Sequence, residues 1–496
     1  MVVTGVFQSV AAPETIIMKK INRQNNNTKV AIFAGAAALM ALTPQTHAQS
    51  SVDALLNKLE QKGILSVDEA KELKAENATN SINDFNSAMN AKFPTPDWVT
   101  SYKLSGDFRG RYDEVSTATP AYKNSSGGAA VDDTNIRLRY RLRVGLTINM
   151  KDDLQVGFRL GTDDAGSTAN GGNPLSNNST LQANGSKKFI YVDAAYGKWM
   201  PINDGTWMVA GTIGKMDQPF QASSMVFDPD YTPEGGALQA TYKVNNGNSL
   251  AFNGGAFVLD QGNSRGPYLL GAQAIWNANW TPKLGTSLGI AEYTISNKKD
   301  FIPNAGATLG TSGAPYDTNL GNTIVPGVVA AGSSAGTPSS DFNPFVVSGS
   351  VTYTLDSFPL YPGAFPIKLA GEYMDNTAAA DNQNIGWWGG MTLGKSGKKG
   401  TWDLTYRYQQ LDADAWWDQI VDDDNVALFP TSATTGSAAG GTNIKGHMVK
   451  LNYSIFDSLT FSFTAYINDI VNPSINAMPT AKTDAVHAMA DLMWKF

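Results

Sequence analysis

From Trp98 to the last residue, apolar and polar positions alternate with a period of two in one segment after another. Residues 136–148 show it most clearly. Ile136, Leu138, Tyr140, Leu142, Val144, Leu146 and Ile148 fall on one face of an extended strand; Arg137, Arg139, Arg141, Arg143, Gly145 and Thr147 fall on the other. Four guanidiniums on one face cannot enter a core without partners. An antiparallel sheet with one wet face would accommodate a single strand of this kind. The pattern, however, recurs. Tyr102, Leu104, Phe108 and Tyr112 oppose Lys103, Asp107, Arg109 and Arg111, and Leu154, Val156, Phe158 and Leu160 oppose Gln155 and Arg159. Further strands are predicted near 189–199, 206–216, 235–244, 249–260, 267–280, 284–295, 345–356, 365–375, 384–394, 400–411, 443–455, 459–469 and 485–496, sixteen in all. Those near 189 and 284 alternate poorly.

The links between strands supply a second signal. Turn-type sequences follow strand 2 (residues 150–153), strand 6 (245–248) and strand 12 (396–399), whereas residues 116–134, 163–186, 217–234, 296–344 and 412–442 are long. Short and long links alternating along a chain describe an up-and-down barrel with one tight rim and one looped rim. In the final strand Val486, Ala488, Ala490, Leu492, Trp494 and Phe496 share a face, which places Phe496 near Trp98 if the last strand closes on the first. A terminal aromatic on such a strand resembles the signal by which outer-membrane proteins are recognised for insertion, so Trp494 and Phe496 are read as that signal. Tyr102, Tyr112, Trp199, Trp207, Trp402 and Trp494, near strand ends, suit interfacial girdles. The expected fold is all-β: a 16-stranded antiparallel up-and-down transmembrane β-barrel with a short N-terminal helical segment. A barrel of this size leaves an aqueous bore.

Composition narrows the setting. The chain of 496 residues has no cysteine, which excludes disulfides and cysteine-based metal or redox sites. Met18, Lys19, Lys20, Arg23 and Lys29 precede an apolar run over residues 30–42, and Thr46-His47-Ala48 offers a cleavage site, so residues 1–48 read as an extension plus signal peptide. Beyond it, 33 Lys and Arg stand against 43 Asp and Glu, a net charge of −10, which argues against nucleic acid as a partner. Residues 49–96 carry Val52, Leu55, Leu56 and Leu59 at helical spacing and a Ser66/Glu69 capping box. They read as a periplasmic helical lead and linker, with a trimerising coiled coil as the sharper alternative. Residues 97–496 form the barrel domain.

Residues 214–220 (Gly-Lys-Met-Asp-Gln-Pro-Phe) and 227–235 (Phe-Asp-Pro-Asp-Tyr-Thr-Pro-Glu-Gly) resemble the signature of the Gram-negative family labelled "putative porin". Residues 411–415 and 440–447 look like its later motifs, and the lead at 55–70 is shared more widely, including by phosphate-selective porins. The resemblance implies a sixteen-stranded pore, in some cases trimeric, in the outer membrane of a Gram-negative bacterium. It would admit small hydrophilic solutes or ions and contact outer-membrane lipid, with no cofactor. By the same resemblance residues 217–235 form a constriction loop, whose acids are Asp217, Asp228, Asp230 and Glu234; the plainer reading is a surface loop.

Arg109, Arg111, Arg137, Arg139, Arg141, Arg143 and Arg159 are seven of the nine arginines after the leader, all on the inward parity of three adjacent strands. This pore-lining basic stripe is read either as a ladder for passing anions or as loop braces pairing with carboxylates. Passive diffusion is the expected function, and an anion-specific, phosphate-type porin is the alternative. Asp412, Asp414, Asp418, Asp422, Asp423 and Asp424 do not follow calcium-loop spacing, so the seventh loop is expected to be solvated and free of metal. Hydrolysis usually needs a histidine beside its nucleophile or acid. Only His447 and His487 follow the leader, with opposite parities, and no enzyme is expected.

Overall fold

A computed structural model describes residues 96–117, 134–164, 172–259, 266–296, 320–325, 337–432, 435–476 and 483–496. The leader and nearly all of the helical lead lie outside the described residues. The barrel strands are β1 (Val99–Thr117), β2 (Thr134–Met150), β3 (Leu154–Asp163), β4 (Phe189–Asn203), β5 (Trp207–Lys215), β6 (Glu234–Lys243), β7 (Asn248–Val258) and β8 (Tyr268–Thr281). They continue with β9 (Leu284–Ser296), β10 (Pro344–Leu355), β11 (Phe365–Asn376), β12 (Ile385–Gly394), β13 (Trp402–Leu411), β14 (Ile444–Phe456), β15 (Leu459–Ile470) and β16 (Ala485–Lys495). Each pairs antiparallel with its chain neighbours, and β16 pairs with β1. The sheet is therefore a closed barrel of sixteen strands.

Closure does not bring Phe496 to Trp98. The register runs from Thr117 opposite Ala485 to Asp107 opposite Lys495, and Phe496 exchanges backbone hydrogen bonds with Gly106 at 2.9 and 3.1 Å. Closing a tilted sheet requires stagger, so the β1–β2 hairpin runs on past the end of β16. The two poorly alternating strands have a physical cause. The register slips between Arg159 and Leu160 and between Trp199 and Ile202 around β4, and between Leu284 and Gly285 at the start of β9. A slip of one residue exchanges the two faces of a strand.

Outward positions are apolar and open: Leu104 is 58% exposed, Ile213 71% and Leu369 57%. On a water-facing wall such exposure would be costly; a wall facing lipid requires it. The tight rim carries links such as 151–153, where Asp152 and Asp153 have φ near +60° as a two-residue hairpin turn demands. Aromatic side chains pair beside these turns, with the ring of Trp207 tilted against Tyr242 at 4.6 Å and that of Trp494 against Phe108 at 5.7 Å. At the other rim the strands end where the links between them are mostly longer: L1 (118–133), L2 (164–188), L3 (216–233), L4 (259–267), L5 (297–343), L6 (377–384), L7 (412–443) and L8 (471–484), of which L1 lies outside the described residues and L2, L4, L5, L7 and L8 lie partly outside them. β3 stops pairing with β2 at Arg143, and above that point Ser179 and Thr180 of L2 take its place opposite Tyr140 and Arg139. L2 is thereby brought alongside the arginine strands.

Candidate functional site: the bore and its inserted loops

L3 enters the bore because of its two ends. Gly214 and Gly235 face each other across β5 and β6 with φ of 115° and 156°. A Cβ on either would collide with a neighbouring carbonyl, of Ala195 or Ala256. These are the glycines of the two signature motifs, and their freedom lets the chain leave both strands inward. The loop then touches inward-facing residues around the wall. Gln273 of β8 accepts from the Gln221 N–H at 2.9 Å and donates to the Gln221 carbonyl at 2.8 Å. Ser223 bonds to Glu372 of β11, and Arg407 of β13 donates to Ser224 Oγ at 3.1 Å. At its far end Asp230 accepts from Arg141 and Arg143 of β2 at 3.0 and 3.1 Å. L3 spans the bore.

L7 folds in beside it, which corrects the expectation of a solvated loop. Trp416 and Ile420 are fully enclosed with Phe227 of L3 and with Phe257, Tyr293 and Met374 of the wall. Phe227 meets Tyr293 edge-on at 5.1 Å. Hydrogen bonds to backbone carbonyls stitch the loops together: Trp416 Nε1 donates to Val226 at 2.8 Å, the Asp228 N–H to Ile420 at 2.8 Å, and the Asp422 N–H to Ser224 at 3.0 Å. Each fully buried large apolar side chain contributes about 1.5–3 kcal/mol. The aspartates of L7 are structural acceptors. Asp418, 3% exposed, takes the Leu320 and Asn322 N–H groups at 2.7 and 3.2 Å, and Asp414 takes that of Thr323 at 3.0 Å. Burial pushes Asp418 up to about 6 and raises Asp414 as well.

The opposite wall is charged. Arg111 forms a two-point pair with Asp491 of β16 at 2.8 and 3.0 Å and reaches Asp424 of L7 at 3.2 Å. Arg137 and Arg139 both donate to Asp113, at 3.1 and 3.3 Å. Arg141 and Arg143 share Asp107 at 3.0 and 2.8 Å as well as Asp230. Arg159 pairs with Asp193 and, at 2.7 Å, with Asp217. Among the described residues Arg109 is the one arginine of this stripe whose direct partner is neutral, donating to Asn178 Oδ1 of L2 at 2.7 Å. His487 lies between Asp113 and the Asp424 carbonyl, at 3.2 and 2.7 Å. His447 is on the outer face against Tyr406 at 2.9 Å, so the two histidines do not meet.

The four loop acids part company. Asp217 and Asp230 reach the arginines. Asp228 turns the other way, and its carboxylate oxygens lie within 4.8 Å of those of Asp422 and Asp423. Burial raises all three, reinforced by the like charges beside them. Burial would raise Asp424 too, but the Arg111 guanidinium holds it below the usual range. Glu234 corrects the expectation of a luminal acid. It opens β6 on the face of Leu238 and Tyr242, two-thirds exposed, and pairs outward with Lys215 at 3.2 Å. The short-range partners that sequence reasoning passed over, Asp113 and Asp491, share the inward parity of β1 and β16; parity was the signal available for them. For Trp416, within an aspartate-rich loop, the chain offered no periodicity.

A closed barrel with an apolar exterior, a charged interior and loops folded into its bore is a membrane channel of the porin class. The family described as "Putative porin" matches residues 70–320, half of the chain, and the chain belongs to that family. Among solved structures it is similar to the high-pH structure of Pseudomonas putida OprB, with a TM-score of 0.44 and 11% identity over 80% of this chain and 94% of that one. It is also similar to a triple mutant of the Rhodopseudomonas blastica porin, with a TM-score of 0.37 and 10% identity over 80% of this chain and all of that one. No curated protein matches.

Proposed function

We propose that the chain is a diffusion channel of the Gram-negative outer membrane, passing small hydrophilic solutes and ions through a water-filled bore without strong preference for either sign. One observation carries this reading. Six of the seven stripe arginines are in direct contact with carboxylates, namely Asp107, Asp113, Asp193, Asp217, Asp230, Asp424 and Asp491. Paired charges of opposite sign at close range leave little net field along the pore, while unpaired rings of one sign would make a filter. The anion-specific alternative requires the arginines to be free. Water still reaches the wall, since the side chains of Arg137 and Asp217 are 37% and 71% exposed.

On the same reading residues 1–48 are removed on export, residues 49–96 lie in the periplasm and the barrel assembles with copies of itself. Purified protein reconstituted into liposomes should allow swelling in small neutral sugars at rates that fall with solute size. Absence of swelling would reject the channel, and swelling confined to anionic solutes would establish the anion-specific alternative. Cross-linking of the full chain and of a chain lacking residues 50–93 would report whether the lead governs assembly.

A further inference from the structure

Arg109 differs from its neighbours on the charged wall in what it faces. It lies directly opposite Arg141 on β2 and opposite Met493 on β16, with Arg111 two residues along the same face. Both neighbouring arginines are satisfied, Arg141 by Asp107 and Asp230, Arg111 by Asp491 and Asp424. Among the described residues Arg109 has only the carboxamide of Asn178 in hydrogen-bond contact. Asn178 is itself fixed, because its Nδ2 donates to Ser176 Oγ at 2.9 Å, which leaves Oδ1 to face the guanidinium. A carboxamide accepts a hydrogen bond without neutralising the charge. Among the described residues no carboxylate is in hydrogen-bond contact with Arg109: Asp491 and Asp230 act on it only from a distance, against the like charges of Arg111 and Arg141 beside it. A partly desolvated guanidinium without a carboxylate in contact is costly, and its planar donor fork matches a carboxylate or phosphate in two-point geometry.

We propose that Arg109 is an oxyanion contact within the bore, completed transiently by the carboxylate or phosphate group of a passing solute. The other six arginines brace the wall and the loops. This rests on the channel reading and adds to it a single anion subsite in a bore of otherwise paired charge. Asn178 is its positioning residue: it holds the guanidinium while leaving the charge unspent.

The test is single-channel conductance in planar bilayers, as a function of concentration, in potassium phosphate and in potassium acetate, with potassium chloride as reference. Wild-type conductance should saturate in at least one oxyanion salt, and the salt that saturates identifies the preferred group. Arg109→Gln should make the response linear. Asn178→Asp should do the same with the arginine intact, because it supplies the missing carboxylate, so the proposal stays testable if the arginine variant fails to fold. Both variants are first checked for heat-modifiable migration. Saturation that is absent from the wild type, or unchanged in a folded variant, overturns the subsite. A wild type that does not conduct at all would instead overturn the channel reading.

Discussion

The two inner walls of this barrel hold the same pair of loops by different physics. On the β7–β11 side L3 and L7 are gripped by apolar burial, with Trp416, Phe227 and Tyr293 enclosed together. On the β1–β3 and β16 side they are gripped by ion pairs, Asp230 to Arg141 and Arg143 and Asp424 to Arg111. Apolar burial is non-directional and is not screened by salt, whereas partly exposed ion pairs respond to ionic strength and proton concentration. The apolar side should therefore hold the inserted loops at any ionic strength, whereas the charged side should loosen when its ion pairs are weakened.

The largest break in this comparison is expected at the apolar wall. Trp416→Ala should cost about 3–5 kcal/mol, as truncation of buried tryptophan does, and release both loops. Heat-modified migration should shift to lower temperature and conductance should rise; unchanged conductance would mean that the loops do not set it. A smaller effect is expected at the charged wall. Asp230→Asn removes one acceptor from two guanidiniums, which are 6% and 20% exposed, and should cost about 1–3 kcal/mol. Its loosening of L3, read by limited proteolysis, should be mimicked in the wild type by high salt, which the Trp416 effect should not be.

The acid junction between L3 and L7 gives the third expectation. Burial raises Asp228 of L3 and Asp422 and Asp423 of L7 above their ordinary range, and it raises Asp418, where L7 meets L5, to about 6. Folded loops then hold protons that released loops would lose, so this contribution to closure is fully present below the ordinary carboxylate pKa; the Asp418 part is lost as pH rises through about 6, and Asp228, Asp422 and Asp423 act in the same direction. Asp424, held low by Arg111 against its burial, acts in the opposite sense but only at more acidic pH. Proteolytic protection of L3 and L7 should be greater at about pH 5 than at about pH 7.5; the reverse order would mean that the ion pairs outweigh the junction. The smallest effect is expected at Glu234, which faces outward: Glu234→Gln should leave conductance and selectivity unchanged.

The barrel was legible because its wall has a strict period. Strand number, the parity of the seven arginines, and the alternation of tight and looped rims all follow from which residues share a face. The inserted loops have no period, so their interior was legible only where a motif constrained the backbone, as at Gly214 and Gly235. Asp228, Asp230 and Glu234 illustrate the limit. They are close in sequence and alike in chemistry, yet one joins the L7 acids, one the arginines and one the outer face, because successive turns and then a strand start send them apart. L7 misled for a related reason. A run of aspartates looks solvated, but a carboxylate that accepts backbone N–H groups is equally suited to an enclosed loop.

The salt-gradient reversal potential of wild type against Asp230→Asn tests the central claim most directly, since the claim is that loop acids neutralise an arginine wall. A potassium chloride gradient across a bilayer containing the wild-type channel should give only a weak preference between the ions. The variant should shift the potential toward anions. A strong anion preference in the wild type that Asp230→Asn leaves unmoved would contradict the account.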